Sequence, residues 1–243
     1  MLALAFGSLH APSQAEAQAP QKEGATAASD AADTENPRSQ QQELVLQAAE
    51  LSNQGHIQEA MAKVEEALAA YRVHFADEKR KIYSIREPAE ALLYMAQAAN
   101  ADNGAIAVEF EYGFAWFLHG YLLVEQGRLD EAQVSLSKAI ELSPMNSQYQ
   151  SELGNLYQAR KDWPAALAAY QAAQGASELS PEDGKSHDEG RALRGQGFVL
   201  IEMGHLDEAE KALKSALELD PADRRAKEEL EYVSQLRSKF GDG

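Results

Sequence analysis

A chain of 243 residues, 44% hydrophobic and 25% charged, holds enough apolar material for one extended or two small folded units, which excludes collagen, a sustained coiled coil and a wholly disordered chain. Its formal net charge of −17 argues against nucleic-acid and anionic-membrane surfaces, whose phosphates it would repel, and favours basic or neutral partners. The absence of cysteine removes disulfides, thiolate metal sites and cysteine nucleophiles together.

The first segment, 1–40, opens with "MLALAFGSLHAPSQAEAQAP", a short apolar stretch followed by Ala-x-Ala sequences at 15–17 and 17–19. This resembles the end of a secretory signal peptide, although no Lys or Arg precedes Lys22. The expectation is an exported, periplasmic chain whose mature form starts near Gln18 or Pro20, with a cytoplasmic location as the alternative. Residues from Pro20 to Ser39 are rich in Ala, Asp, Glu, Gln and Pro and read as a flexible linker. No run of about 18 apolar residues occurs, so no membrane span is expected.

In 41–74, with Gly55 as a turn, Leu44, Ala48, Leu51, Ile57, Ala60, Val64 and Ala67 recur at helical spacing and predict two helices. Arg72 stands where a proline stop would end the second, which therefore runs on through Tyr71 to Phe75. Segment 75–112 differs. Pro88 suits the first turn of a helix reaching about Asn100, with Leu92, Leu93 and Met95 available for burial. On either side, "KIYSI" at 81–85 and "AIAVEF" at 105–110 are β-branched and aromatic, and "ADNG" is a turn signal. A strand–helix–strand insertion and an irregular helical connector both fit. The connector is preferred, because an isolated two-stranded sheet is marginal unless packed.

Beyond residue 112 the chain repeats itself. "GRLDEAQVSLSKAIELSP" at 127–144 returns as "GHLDEAEKALKSALELDP" at 204–221. Gly154 follows Gly120, and Ala166 follows Ala132, by 34 residues. Gly197 follows Gly154, and Ala209 follows Ala166, by 43, one period plus nine residues that fall in "ELSPEDGKSHDEG", a loop by composition. A 34-residue period with small residues at fixed offsets resembles the tetratricopeptide repeat family. The resemblance covers 113–146, 147–180 and 190–223, with 41–74 as a degenerate first unit. It implies an all-α, right-handed superhelical solenoid of about four helix-turn-helix units, a small insertion at 75–112, and a capping helix at 224–240. In that last segment Ala226, Leu230, Val233, Leu236 and Phe240 form the apolar stripe that would cover the end of the stack. Gly120 and Ala132 are then small because two helix backbones cross closely, with Leu123 and Leu136 filling the space around the crossing. Ala139 faces the next unit, Pro144 and Pro221 stop the second helix, and Asp130 and Asp207 suit its N-terminus.

Catalytic signals are weak. The histidines are scattered, and Asp183, His187, Asp188 and Glu189 lack the ordered spacing of a cation loop, so a solvated loop is preferred. The "GQG" at 195–197 lies inside a repeat helix and is attributed to packing. No metal, cofactor or enzyme activity is expected, and a metal-binding protein or enzyme is the less favoured alternative. The family resemblance instead implies a concave groove lined by the second, fifth, ninth and twelfth residues of each unit. These are Phe114, Phe117, Tyr121 and Val124, then Gln148, Ser151, Asn155 and Gln158, then Arg191, Arg194, Phe198 and Ile201. Such a groove runs from an aromatic end across an amide floor to two arginines, and suits a protein or peptide with apolar side chains and an acidic group or free carboxylate. The alternatives are that the aromatic face is covered by 75–110 or the first unit, and that the arginines only pair with Glu189, Glu202 or other carboxylates. Phe117 and Tyr121 stand where chaperone-binding members carry a Lys and an Asn, so chaperone tails are not the expected ligand. The function expected is a non-catalytic protein–protein interaction scaffold, with an assembly factor or chaperone-like adaptor of an envelope or secretion machine as the alternative.

Overall fold

The first helix, α1 (Gln40–Asn53), starts where Ser39 accepts a hydrogen bond from the Gln42 amide while the Gln42 side chain accepts one from Ser39 N at 2.8 Å. This reciprocal cap satisfies two of the donors a helix start leaves open. The computed structural model describes residues 39–99 and 103–240; the expected signal segment, nearly all of the linker, and part of the "ADNG" turn lie outside them. Next come α2 (Ile57–His74), β1 (Lys81–Ile85), α3 (Pro88–Gln97) and β2 (Ala105–Glu109). The remaining helices are α4 (Phe110–Glu125), α5 (Leu129–Leu142), α6 (Ser147–Ala159), α7 (Trp163–Ala176), α8 (Lys185–Glu202), α9 (Leu206–Leu219) and α10 (Arg224–Phe240). The expectation of an all-α solenoid holds, with two short strands added.

Antiparallel pairs α1/α2, α4/α5, α6/α7 and α8/α9 are the units. Their crossings are tight where the repeated glycines lie. A Cβ on Gly120 would stand 2.7 Å from Leu136, one on Gly154 2.8 Å from Tyr170, and one on Gly197 2.5 Å from Leu213. Ala132, Ala166 and Ala209 are fully buried. The turn between paired helices uses a left-handed residue, Gly55, Gly127 and Gly204 at φ of 80°, 72° and 80°. In the third unit Lys161 takes that place at φ 59°, a conformation that a side chain disfavours.

First helices touch the first helices of neighbouring units, α4 with α6, α6 with α8 and α8 with α10. Among the described residues the second helices α5, α7 and α9 share no comparable contact. The stack therefore fans open on the side of the second helices, and the first helices form its inner surface. Two joints carry the same polar staple. Arg160 donates to Gln133 and Asp130, each at 2.5 Å, and Arg237 donates to Glu210 at 2.5 Å and to Asp207. Arg237 on α10 thus does what Arg160 does at the end of α6, so the capping helix occupies the place of a first helix. At the intervening joint Trp163, Leu167 and Met203 pack instead against the buried cluster of Ala166, Tyr170 and Val199.

The preference for an irregular connector at 75–112 is corrected. β1 and β2 are parallel, paired from Lys81 with Ala105 to Ile85 with Glu109, and α3 is the crossover between them. The pair persists because it is packed. Tyr83 stacks on Tyr94 at 4.9 Å, and the Ser84 hydroxyl lies 2.6 Å from the Glu109 carbonyl and accepts from the Gly113 amide at 3.0 Å. The Ser143 hydroxyl donates to Ser84 O at 2.7 Å, the Tyr94 hydroxyl accepts from Met145 N at 3.0 Å, and Arg86 donates to Met145 O at 3.1 Å while pairing with buried Glu90. Expected burial of Leu92 is corrected as well: it is 76% exposed, and Glu90 and Tyr94 are the buried residues of α3. A third correction concerns the loop at 178–190. Ser177–Leu179 is a 3-10 turn and α8 begins at Lys185, because Lys185 pairs with Glu178 at 2.8 Å and the Ser180 hydroxyl donates to Asp188 at 2.7 Å.

Candidate partner-binding site

The aromatic end expected of the inner surface is closed. Phe117 is 1% exposed and stacks on Tyr149 of α6 at 4.8 Å, and Phe114 is buried with its ring 5.1 Å from that of Phe110. Val124 and Ile201 are buried too. Helix α4 is apolar on nearly every side, and the next unit, the first unit and β1 all pack against it. Tyr121 alone of that quartet is half-buried; burial, then Glu125 and Glu152, push its hydroxyl up to about 12.

The polar part of the surface is organised around a residue the groove offsets did not include. Tyr170, on α7, passes between α6 and α8, where a Cβ on Gly154 or on Gly195 would collide with its ring at 2.8 or 2.4 Å. Its hydroxyl lies 2.6 Å from Asn155 Oδ1 and 2.9 Å from Gln158 Oε1, so two of the predicted floor residues are held by one tyrosine. Asn155 then donates from Nδ2 to Glu152 Oε2 at 3.0 Å. Gln148 is partly exposed at the start of α6, whereas Ser151 is buried, and its hydroxyl has no partner among the described residues.

Glu152 is 7% exposed, and its second oxygen, Oε1, is sealed from solvent with no donor among the described residues. Burial raises its carboxyl to about 7; the Asn155 hydrogen bond and the Arg191 charge oppose that rise, and Glu125 adds to it. The repeat shows why Glu152 escaped the groove pattern and how it could have been found. Its column holds buried Leu118 one unit earlier and Gly195 one unit later, so an acid there is an ionisable group in a core position. Likewise Tyr170 stands in the column of Leu136 and Leu213, the only one of the three with a polar end.

The two arginines separate. Arg194 pairs with Asp223, which also caps α10 by accepting from the amides of Arg225 at 2.9 Å and Ala226 at 3.1 Å. The expected ion-pair alternative therefore describes Arg194, with Asp223 in place of Glu189 or Glu202. Arg191 is partly buried and makes no hydrogen bond or salt bridge among the described residues; Asp188 and Glu152 act on it through their charge. Phe198 is partly buried, edge-on to Trp163 at 6.4 Å. The inner surface over α6 and α8 thus presents a guanidinium that has no bonded partner among the described residues, together with amide groups and a sealed carboxyl, and Tyr121 of α4 lies near that carboxyl. Elsewhere, His119 lies 2.8 Å from the Ser135 hydroxyl and 3.8 Å from Glu65, but Ser135 is buried and donates to Glu131 O, which leaves it no route to a substrate.

Family models described as "Tetratricopeptide repeat" and "TPR repeat" match residues 146–222 and 120–160. Solved structures with a similar fold include pilF of Pseudomonas aeruginosa, 12% identical over 84% of this chain and 77% of that one, with a TM-score of 0.57. A tetratricopeptide repeat protein of Parabacteroides merdae is 16% identical over 82% and 61%, with a TM-score of 0.53. MamA is 16% identical over 79% and 84%, with a TM-score of 0.52. At these identities the likeness is one of fold. No curated protein sequence matches the chain.

Proposed function

Because this chain is a member of the tetratricopeptide repeat family, we propose that it is a non-catalytic interaction scaffold that holds a partner segment against the inner surface of α6 and α8. The partner presents a carboxylate to Arg191 and an apolar group beside Tyr121 and Phe198. The observation that carries this reading is the state of Arg191: a partly buried guanidinium without a hydrogen bond has already lost much of its water, and a planar carboxylate supplies the bonds it lacks. The −17 charge of the chain does not favour acidic partners at long range, so recognition here is local and follows contact.

The test is affinity capture from the native extract with the parent chain and with Arg191→Gln, followed by titration of the captured partner. Removing a charge-assisted contact should weaken that partner about tenfold or more without lowering the melting temperature. Equal affinity for both chains would refute the assignment of the inner surface.

A further inference from the structure

Five ionisable side chains meet on the inner surface. From α8 come Arg191, Arg194 and Asp188, from the start of α10 Asp223, and from α6 Glu152; Glu125 and Tyr121 of α4 and Tyr170 of α7 face Glu152 from the other helices packed near it. Asp223 is committed to Arg194 and to the α10 cap. Burial opposes the ionisation of Asp188, but His187 at 3.8 Å, the Ser180 hydroxyl and the Arg191 charge together hold its carboxyl below the usual carboxylate range. Glu152 is the one acid of the five with an oxygen that no group satisfies, and Arg191 the one base without a bonded partner. With Glu152 ionised, the five carry three negative charges against two positive. With Glu152 protonated they balance.

We propose that Glu152 is a proton-operated competitor for Arg191, so that the inner surface rejects an acidic peptide when Glu152 is ionised and accepts it when Glu152 is protonated. The inference rests on the peptide-binding reading above and adds its regulation. Sealing from water places the change of charge near neutrality instead of in the ordinary carboxylate range. The ligand's own carboxylates remain ionised over the same interval. The partner thus keeps its charge while the receptor changes, and binding strengthens as the solution is acidified through neutrality.

The probe is a hexapeptide of two leucines, two alanines and a C-terminal pair of glutamates, carrying a rhodamine label whose charge does not change in this range, titrated by fluorescence anisotropy from pH 6 to pH 8.5. The parent chain should bind it about tenfold more tightly at pH 6 than at pH 8.5, the size expected for removing one charge at a partly buried site. Glu152→Gln should bind at the tight level throughout, since an amide copies the protonated acid. A His187→Gln background should retain the pH dependence, which separates Glu152 from the neighbouring histidine. Binding of the parent that does not change with pH, or an unchanged pH dependence in Glu152→Gln, overturns the switch while leaving the groove. Absence of binding at every pH, by parent and Glu152→Gln alike, overturns the groove reading and the switch with it.

Discussion

Adding one methyl group at Gly195 should destabilise the solenoid, although alanine is the better helix former. The new Cβ would stand 2.4 Å from Tyr170 Cε1 and 2.5 Å from Cδ1, against the usual carbon separation of about 3.5–4.0 Å. The ring cannot retreat freely, because Gly154 of α6 closes it on another side and its hydroxyl is engaged by Asn155 and Gln158. Overpacking of this kind costs roughly 1–3 kcal/mol, and the helix propensity of alanine returns at most about 1 kcal/mol. A net loss of about 1 kcal/mol corresponds to a fall of roughly 2–4 °C in Tm for a chain of this length. Gly175→Ala supplies the control: it also lies in a helix but has nothing within 4 Å of its added Cβ, so it should raise Tm by a few degrees. Both are read by thermal unfolding followed by circular dichroism. In a Tyr170→Ala background Gly195→Ala should turn from harmful to neutral or favourable, the coupling expected of residues in contact. Equal Tm values for Gly195→Ala and Gly175→Ala, or a penalty that survives removal of the ring, would refute the account of this crossing.

Lys161→Gly should stabilise the chain by about 1 kcal/mol, since Lys161 sits at φ 59° where the other units use glycine; chemical denaturation against the parent measures it. Glu152→Gln should become progressively more stable than the parent as pH rises from 4.5 to about 7. The folded parent holds a proton there that the unfolded chain releases, so stability contributed by the protonated acid is complete below 4.5 and lost by about 7. The gain at pH 8 should be on the order of 3 kcal/mol, and a difference that does not vary with pH would contradict it. N-terminal sequencing of the native protein should find a chain beginning near Gln18 or Pro20, while retention of Met1 would contradict export.

Periodicity made the helix crossings legible, because a glycine or alanine at a fixed offset records how near two backbones come. Gly120, Gly154 and Gly197 each meet a side chain sixteen residues on, a distance short enough to read within one unit. What lay between units was harder to read. Phe117 is at a groove offset, yet it is covered by Tyr149, and nothing in the 113–146 pattern announces that ring. Arg191 and Arg194 are alike in sequence, and only Asp223, 29 residues beyond Arg194, distinguishes them. The strands at 81–85 and 105–109 were visible as residue types, but their stability depends on Ser84 reaching Gly113 and Ser143, contacts that no local rule contains. Glu152 was overlooked for a different reason: the offsets inherited from the family rank positions, and the informative fact was an acid in a column otherwise filled by Leu118 and Gly195.

The docking of the insertion alters how the chain can acquire its structure. A pure repeat array is built from contacts between neighbours in sequence, so order can begin in any unit and spread in either direction. Here Ser84 O accepts from the Ser143 hydroxyl and Arg86 donates to Met145 O, each across 59 residues, and those two partner groups are in place only once α5 has ended and turned toward α6. The strand pair therefore waits for a unit that is synthesised after it. Closing that long loop gives an otherwise local topology one slow, late step, and the insertion gains its bonds to the α5–α6 turn only when that step is complete, while α1 and α2 pack on α4 without it.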